Sequence, residues 1–308
     1  MIKKTGLHYI KLNLSRYWQL YIILLIPTVF LVLFQYVPMY GLQIAFREFN
    51  PIDGFYGGKW VGLENFRRFF NAYSFWEIIW NTLSLSVYSL VAGFPIPIIL
   101  AISINEIRNR HFRKTVQMVT YAPHFISVVV LVAMVQQVLS PHLGVVNHII
   151  KAMGYRSINF MGLPQYFQSI YVWSGIWQGM GYSSIIYIAT LSAVDLQLYE
   201  AVFVDGASRL QKIWYIDLPC LLPTAIVMLI LNMGRIMSVG FEKVYLMQNG
   251  MNMQTSEVIA TYVYKVGLIL SDFSFSTAVG FFNSVINLLF IVVFNQLVRR
   301  VSNENSLW

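Results

Sequence analysis

Glu200-Ala201-Val202-Phe203-Val204-Asp205-Gly206-Ala207, running on to Ile216-Asp217-Leu218-Pro219, is a polar, charged insert between two long apolar segments. Glu200 to Val204 suits a short helix with a smooth surface at Ala201 and Val202. Asp205-Gly206 then lets the chain turn sharply, because glycine tolerates a positive φ. Arg209 to Ile216 mixes basic and apolar residues, and Pro219 falls where a new helix starts without losing a hydrogen bond. The stretch reads as helix, turn and helix; an ordinary loop is the alternative, since Asp-Gly turns are common in loops. In so apolar a chain it is the expected docking place for a soluble partner.

Working outward from this insert, 57% of the 308 residues are apolar, 11% are charged and the mean hydropathy is +0.60. A soluble domain has no use for several uncharged stretches of about 20 residues, the length that crosses a bilayer as a helix. Six such spans are expected near Tyr17–Met39, Ile78–Ser103, Val116–Leu139, Phe167–Leu191, Cys220–Gly240 and Thr277–Val298. Runs such as Ser127 to Met134 are continuously apolar, which excludes the alternating strands of a barrel. The fold class is therefore all-α integral membrane, with six transmembrane helices. Lys3, Lys4, Lys11 and Arg16 precede the first span as they precede a signal peptide, but the apolar run is too long and lacks a small-residue cleavage site. It is expected to stay in the mature chain.

With six spans both termini share a side. That side also carries Arg108, Arg110, Arg113, Lys114, Arg209, Lys212, Arg299 and Arg300. The opposite loops are longer and hold fewer cations: Arg47, Lys59, Arg67, Arg68, Lys151, Arg156, Lys243 and Lys265. The positive-inside rule then places both termini and the Glu200 insert in the cytoplasm. The cations form no single stripe with interleaved aromatics, so the net charge of +8 does not point to nucleic acid. Gly62–Phe70 and Ser256–Lys265 mix apolar and charged residues and suit surface helices, either docking faces or caps on the bundle. No low-complexity tract or fixed-period repeat is present.

Catalytic chemistry has no foothold. Gly57-Gly58-Lys59-Trp60 lacks the hydroxyl residue and glycine spacing of a phosphate-binding loop. His8, His111, His124, His142 and His148 show no paired metal-ligand spacing, and the single Cys220 excludes an intramolecular disulfide or a cysteine cluster. Polar side chains within spans usually face a cavity, which selects Gln136, Gln137, Trp173, Trp177, Gln178, Tyr182 and Asn232 as pathway candidates. Interface anchoring is the alternative for the tryptophans and tyrosines. Arg235 is expected about 24 Å along a fifth span that needs roughly 30 Å to cross. There it either snorkels to the outer interface or faces the pathway, where its donors suit sugar hydroxyls or a carboxylate.

The spacing Glu200-Ala201-Val202, three residues, Gly206, nine residues, Ile216, one residue, Leu218-Pro219 resembles the EAA signature of permease subunits of ATP-binding-cassette importers. Only Val202 departs from it, by a small apolar change. Asp205-Gly206-Ala207 and Pro223 match the longer form common among sugar permeases. Trp60–Phe66, Asn81–Leu83, Ala122–Ser127, Ser174–Gly179, Val239–Val244 and the ending Ser306–Trp308 are similar to the polysaccharide and complex-oligosaccharide permease subfamily. The resemblance implies the type I importer transmembrane fold, with the hairpin as the coupling helix. Glu200, Ala201, Asp205, Gly206 and Ala207, with Leu218 and Pro219, would then be the ATPase-coupling residues. It divides the chain into residues 1–76, the transporter domain 77–298 with its EAA loop at 199–219, and a tail 299–308.

Implied partners are a second, homologous permease, two ATPase subunits that hold ATP and magnesium, an extracytoplasmic solute-binding protein, the sugar and membrane lipid. No cofactor is expected on this chain. A carrier driven by an ion gradient is the alternative, disfavoured because no acidic residue reads as poised within a span for ion coupling.

Overall fold

The computed structural model describes residues 6–52, 54 and 58–301. Lys3, Lys4, Gly57 and the ending Ser306–Trp308 lie outside the described residues. Helix α1 (Gly6–Leu31) continues through a π turn at Val32–Tyr36 and a 3-10 stretch at Tyr40–Phe46. Proline cannot donate to the carbonyl four residues back, and Pro38 follows the place where the helix widens. The apolar segment Arg16–Phe46 is long enough to cross a membrane, and its most apolar window buries nothing against this chain. Only its end, Ile44 and Ala45, is buried, where Tyr40–Phe46 packs on the last helix.

Short α2 (Glu64–Phe70) presses Phe69 into an aromatic cluster with Phe75, Phe275 and Phe282, and Asn65 donates to the Ala45 carbonyl. The stretch expected as a surface helix thus caps the bundle at this end. The second span is built from α3 (Phe75–Gly93) and α4 (Pro95–Asn105), which meet at Phe94. The third is not the single rod expected at 116–139. Helix α5 (Arg110–Tyr121) passes through a 3-10 turn into α6 (Val128–Val138), and the two are bent by 101°. Pro123 removes a donor, Ile126 is extended, and Ser127 restarts the helix by accepting from the Val130 N–H.

After α7 (Val145–Ala152), the long α8 (Pro164–Ser192) forms the fourth span and packs along α4. Helix α9 (Leu196–Val204) leaves it at 74°. The next segment corrects the expected boundaries of the fifth span. Helix α10 (Arg209–Lys212), a π turn at Ile213–Asp217 and α11 (Leu218–Met233) form one continuous span, Arg209–Met233. Pro219 therefore starts no new helix. The wide turn, closed by Leu218 N–H onto the Ile213 carbonyl, absorbs the donor that proline lacks.

The fifth span stops at Met233 rather than Gly240. A turn at residues 234–237 follows, then α12 (Phe241–Met247) and α13 (Ile259–Tyr264), which buries Ile259 and Thr261 as a second cap. The final span is α14 (Phe273–Val301). Among the described residues, four helices are long and apolar enough to cross, and counting each bent pair as one crossing gives six.

Candidate functional site

The Glu200 insert is a capped helical hairpin. Asp195 opens α9 by accepting from the Gln197 N–H. At the other end Gly206 takes φ +68°, and the Ala207 N–H donates to the Val202 carbonyl at 3.1 Å. This left-handed closure is what glycine supplies at a helix C-terminus. Ser208 then caps α10 reciprocally with Gln211. Glu200, Ala201, Asp205, Gly206 and Ala207 are all exposed on the hairpin. So are the apolar residues Phe203, Val204 and Leu210, at 82%, 84% and 78%. Pro219 is exposed beside the π turn, whereas Leu218 packs inward with Leu191 and Leu221.

Beneath this tip lies a charged base that the sequence reading missed. Asp217 is fully buried and accepts from the Tyr199 hydroxyl at 2.7 Å. Lys212 pairs with Glu106 at the end of α4, stands 3.8 Å from Asp217 and lies over the Tyr199 ring. Burial and the neighbouring Asp217 carboxylate raise the Tyr199 phenol pKa, so it stays a donor. From α5, Arg113 donates to the carbonyls of Asn105 and Ile107, tying down the same helix end. Asp217 is a buried acid at the edge of a span, but it is engaged with Lys212 and Tyr199.

A polar cleft opens between α3, α4, α8 and the turn after α11. It has two lobes of about 370 and 310 Å³ that share Ser89, Gly93, Pro97, Tyr171 and Ser183. Asn232 and Arg235 line the larger lobe; Gln178 and Lys243 line the smaller. Lys243 is 8% exposed; its ammonium donates to the Tyr171 carbonyl at 2.7 Å and lies 4.6 Å from that ring's centroid. A side chain at Gly175 would meet the ammonium at 3.0 Å, so the glycine makes its room. Burial pushes the Lys243 pKa down to about 8. Its signal in the sequence was a cation next to Glu242 between apolar stretches, read instead as an ordinary outer-loop charge.

Arg235 lies beyond the end of α11, not within it. Its turn is held by Asn287, which accepts from the Met237 N–H and donates to the Ser238 hydroxyl. A Cβ on Gly234 would come within 2.8 Å of Ile291, so the turn lies tight against α14. The backbone just beyond Arg235, at Met237 and Ser238, lies beside Asn287, near the middle of α14. Irregular backbone at that depth is tolerated where it lines a cavity or is buried in protein.

Other pathway candidates fall elsewhere. Trp173 and Trp177 line an apolar groove between α6 and α8, with the Trp173 indole donating to the Tyr88 hydroxyl. Tyr182 stacks on His124 at 4.0 Å. Gln136 donates to the Leu246 carbonyl, and Gln137 is exposed on α6 away from both lobes. Even Gln178, at the cleft, commits a donor to the Ile126 carbonyl, bracing the bend between α5 and α6.

Apolar spans around a polar cleft, with a capped hairpin at one end, define a multi-pass helical membrane permease. The chain belongs to the family described as binding-protein-dependent transport system inner membrane component, whose model matches residues 93–303. It is 41% identical to the polygalacturonan/rhamnogalacturonan transport system permease protein YteP of Bacillus subtilis (strain 168), over 96% of this chain and 91% of that one. It is also similar to a chain in the crystal structure of a bacterial ABC transporter involved in import of the acidic polysaccharide alginate, with a TM-score of 0.88 and 39% identity. That match covers 96% of this chain and 99% of the other. A second match is to a bacterial alginate ABC transporter in complex with alginate pentasaccharide-bound periplasmic protein. Its TM-score is 0.86 at 39% identity, covering 94% and 97% of the two chains. Membership of this family sets aside the carrier driven by an ion gradient.

Proposed function

We propose that this permease forms half of the passage for an oligosaccharide or polysaccharide fragment, paired with a second, homologous permease. Two separate ATPase subunits, holding ATP and magnesium, bind the hairpin from the cytoplasm, where both termini also lie. An extracytoplasmic solute-binding protein delivers the sugar from the other side. The observation that carries the coupling is the hairpin itself: exposed Phe203, Val204 and Leu210 stand on a base locked by Lys212, Glu106 and Asp217. An exposed apolar patch of this kind marks an interaction surface. The locked base lets it move as a unit.

Helix α4 gives a direct route for that movement. Pro97 lines the cleft and Glu106 holds Lys212, about 13 Å apart along one short helix. ATP-driven approach of the ATPases would shift the hairpin and, through α4, the wall of the cleft, so transport needs no covalent chemistry in this chain.

The test is uptake of labelled oligosaccharides by the reconstituted importer, together with co-purification of the ATPase subunits. ATP-dependent uptake by the complete assembly and retention of the ATPases are expected. Uptake by this chain alone under an ion gradient, without ATPases, would overturn the proposal.

A further inference from the structure

We infer that the cleft is built for an acidic oligosaccharide, with Lys243 and Arg235 as counter-charges for the carboxylates of its uronate units. The inference rests on the oligosaccharide reading above and names the substrate class of that same site. Among the described residues, no aspartate or glutamate lines either lobe. Neither cation forms one of the ion pairs found among the described residues, which join Arg68 to Asp272, Lys212 to Glu106 and Asp217, and Lys265 to Glu257. A buried cation normally has a carboxylate partner, because removing it from water without one is costly. Lys243 has only a carbonyl and a ring face, which leaves donors on the ammonium for a ligand.

Position and size agree with that chemistry. The lobes fall within the range of about 300–1,000 Å³ typical of small-ligand sites. Arg235 offers a planar fork that takes a carboxylate through two parallel hydrogen bonds, whereas Lys243 offers a compact point charge. Ser86, Ser89, Ser183 and Asn232 supply partners for ring hydroxyls between them. A neutral sugar would use the serines and the amide but would leave the Lys243 charge uncompensated. A uronate uses both.

The test uses the complete importer in lipid nanodiscs without its solute-binding protein, so that selection by that protein does not enter. Trigalacturonate and its fully methyl-esterified form, which keeps the sugar geometry and removes the charge, are titrated by calorimetry. The ester should bind at least about tenfold more weakly than the acid. Arg235→Gln and Lys243→Gln should each erase most of that preference, and Lys243→Arg should retain it. Equal affinity for acid and ester, or a preference that survives both neutral variants, overturns the acidic-substrate inference while leaving an oligosaccharide permease. A phosphorylated neutral trisaccharide that binds as tightly as the uronate overturns the carboxylate assignment. Failure of the wild-type importer to bind or transport any oligosaccharide, acidic or neutral, overturns the underlying reading as well.

Discussion

Lys212 and Lys243 are both withdrawn from water, and their surroundings are opposite. At the hairpin base Lys212 has Glu106 beside it and Asp217 close by, with the Tyr199 hydroxyl taking up an oxygen of the buried acid. In the cleft Lys243 has one carbonyl and one ring face. The first arrangement closes its electrostatics within the chain and joins α4, α9 and α10 into a unit. The second leaves a buried charge unanswered; Arg235 in the neighbouring lobe likewise forms none of the ion pairs found among the described residues, but it is exposed. Paired burial holds structure, whereas unpaired burial at a cavity costs stability that a ligand can return.

The largest effect is expected at the base. Lys212→Met strands two carboxylates, a loss of about 3–5 kcal/mol. It should lower the thermal midpoint of the purified complex and release the ATPases. Combining it with Glu106→Gln and Asp217→Asn removes the stranded charges and should recover most of the midpoint. A single variant as stable as wild type would erase the contrast between the two lysines.

Lys243→Met should act in the other direction. Lowering its pKa from 10.5 to about 8 corresponds to a penalty of roughly 3 kcal/mol, so removing the charge should stabilise the fold by up to that amount and raise the midpoint, while transport of acidic sugars falls. The sign follows from proton binding. Below about 8 the ammonium is charged in folded and unfolded chains alike, and the penalty is full. Between 8 and 10.5 the unfolded chain binds more protons, so wild-type stability rises with pH. The gap between variant and wild type should therefore narrow across that window in thermal melts; a gap independent of pH would show that the lysine is not a buried charge.

Tyr199→Phe is expected to cost about 1.5–3 kcal/mol, because it removes a hydrogen bond to a charged, buried acceptor. It should weaken the base without severing the Lys212 pair, and a loss equal to that of Lys212→Met would mean that the phenol holds the site. Gly206→Val sharpens the comparison from the tip. No atom lies within 4 Å of the place its Cβ would take, so the cost is backbone strain at positive φ, about 1–2 kcal/mol. Uptake should fall while the isolated ATPases keep their hydrolysis. Normal uptake would separate the turn from coupling.

Reading the sequence located the hairpin because its determinants are neighbours: Asp205-Gly206 makes the turn, although the Ser208 and Gln211 cap that restarts the helix went unread. It mistook the third span for a straight rod because the apolar run on either side of Pro123 and Ser127 outweighed two local breakers. It placed Arg235 inside a continuous helix because Gly234, the C-cap of α11, was outweighed by the apolar run around it. That stop is held by Asn287 and Ile291, more than fifty residues away. Trp173 and Trp177 were grouped with the cleft by residue type, and only packing sends them to the groove beside α6.

By itself, then, the sequence determined a helical membrane chain with a glycine-closed hairpin between two spans. Hydrophobicity summed over about twenty residues and a left-handed turn are both local properties. Only the tertiary structure decided which buried charges are answered. Lys212 meets Glu106 across 106 positions, and Lys243 meets Tyr171 across 72. The free energy of a buried charge depends on what lies within a few ångströms of it, and chain order leaves those distances open until the helices pack.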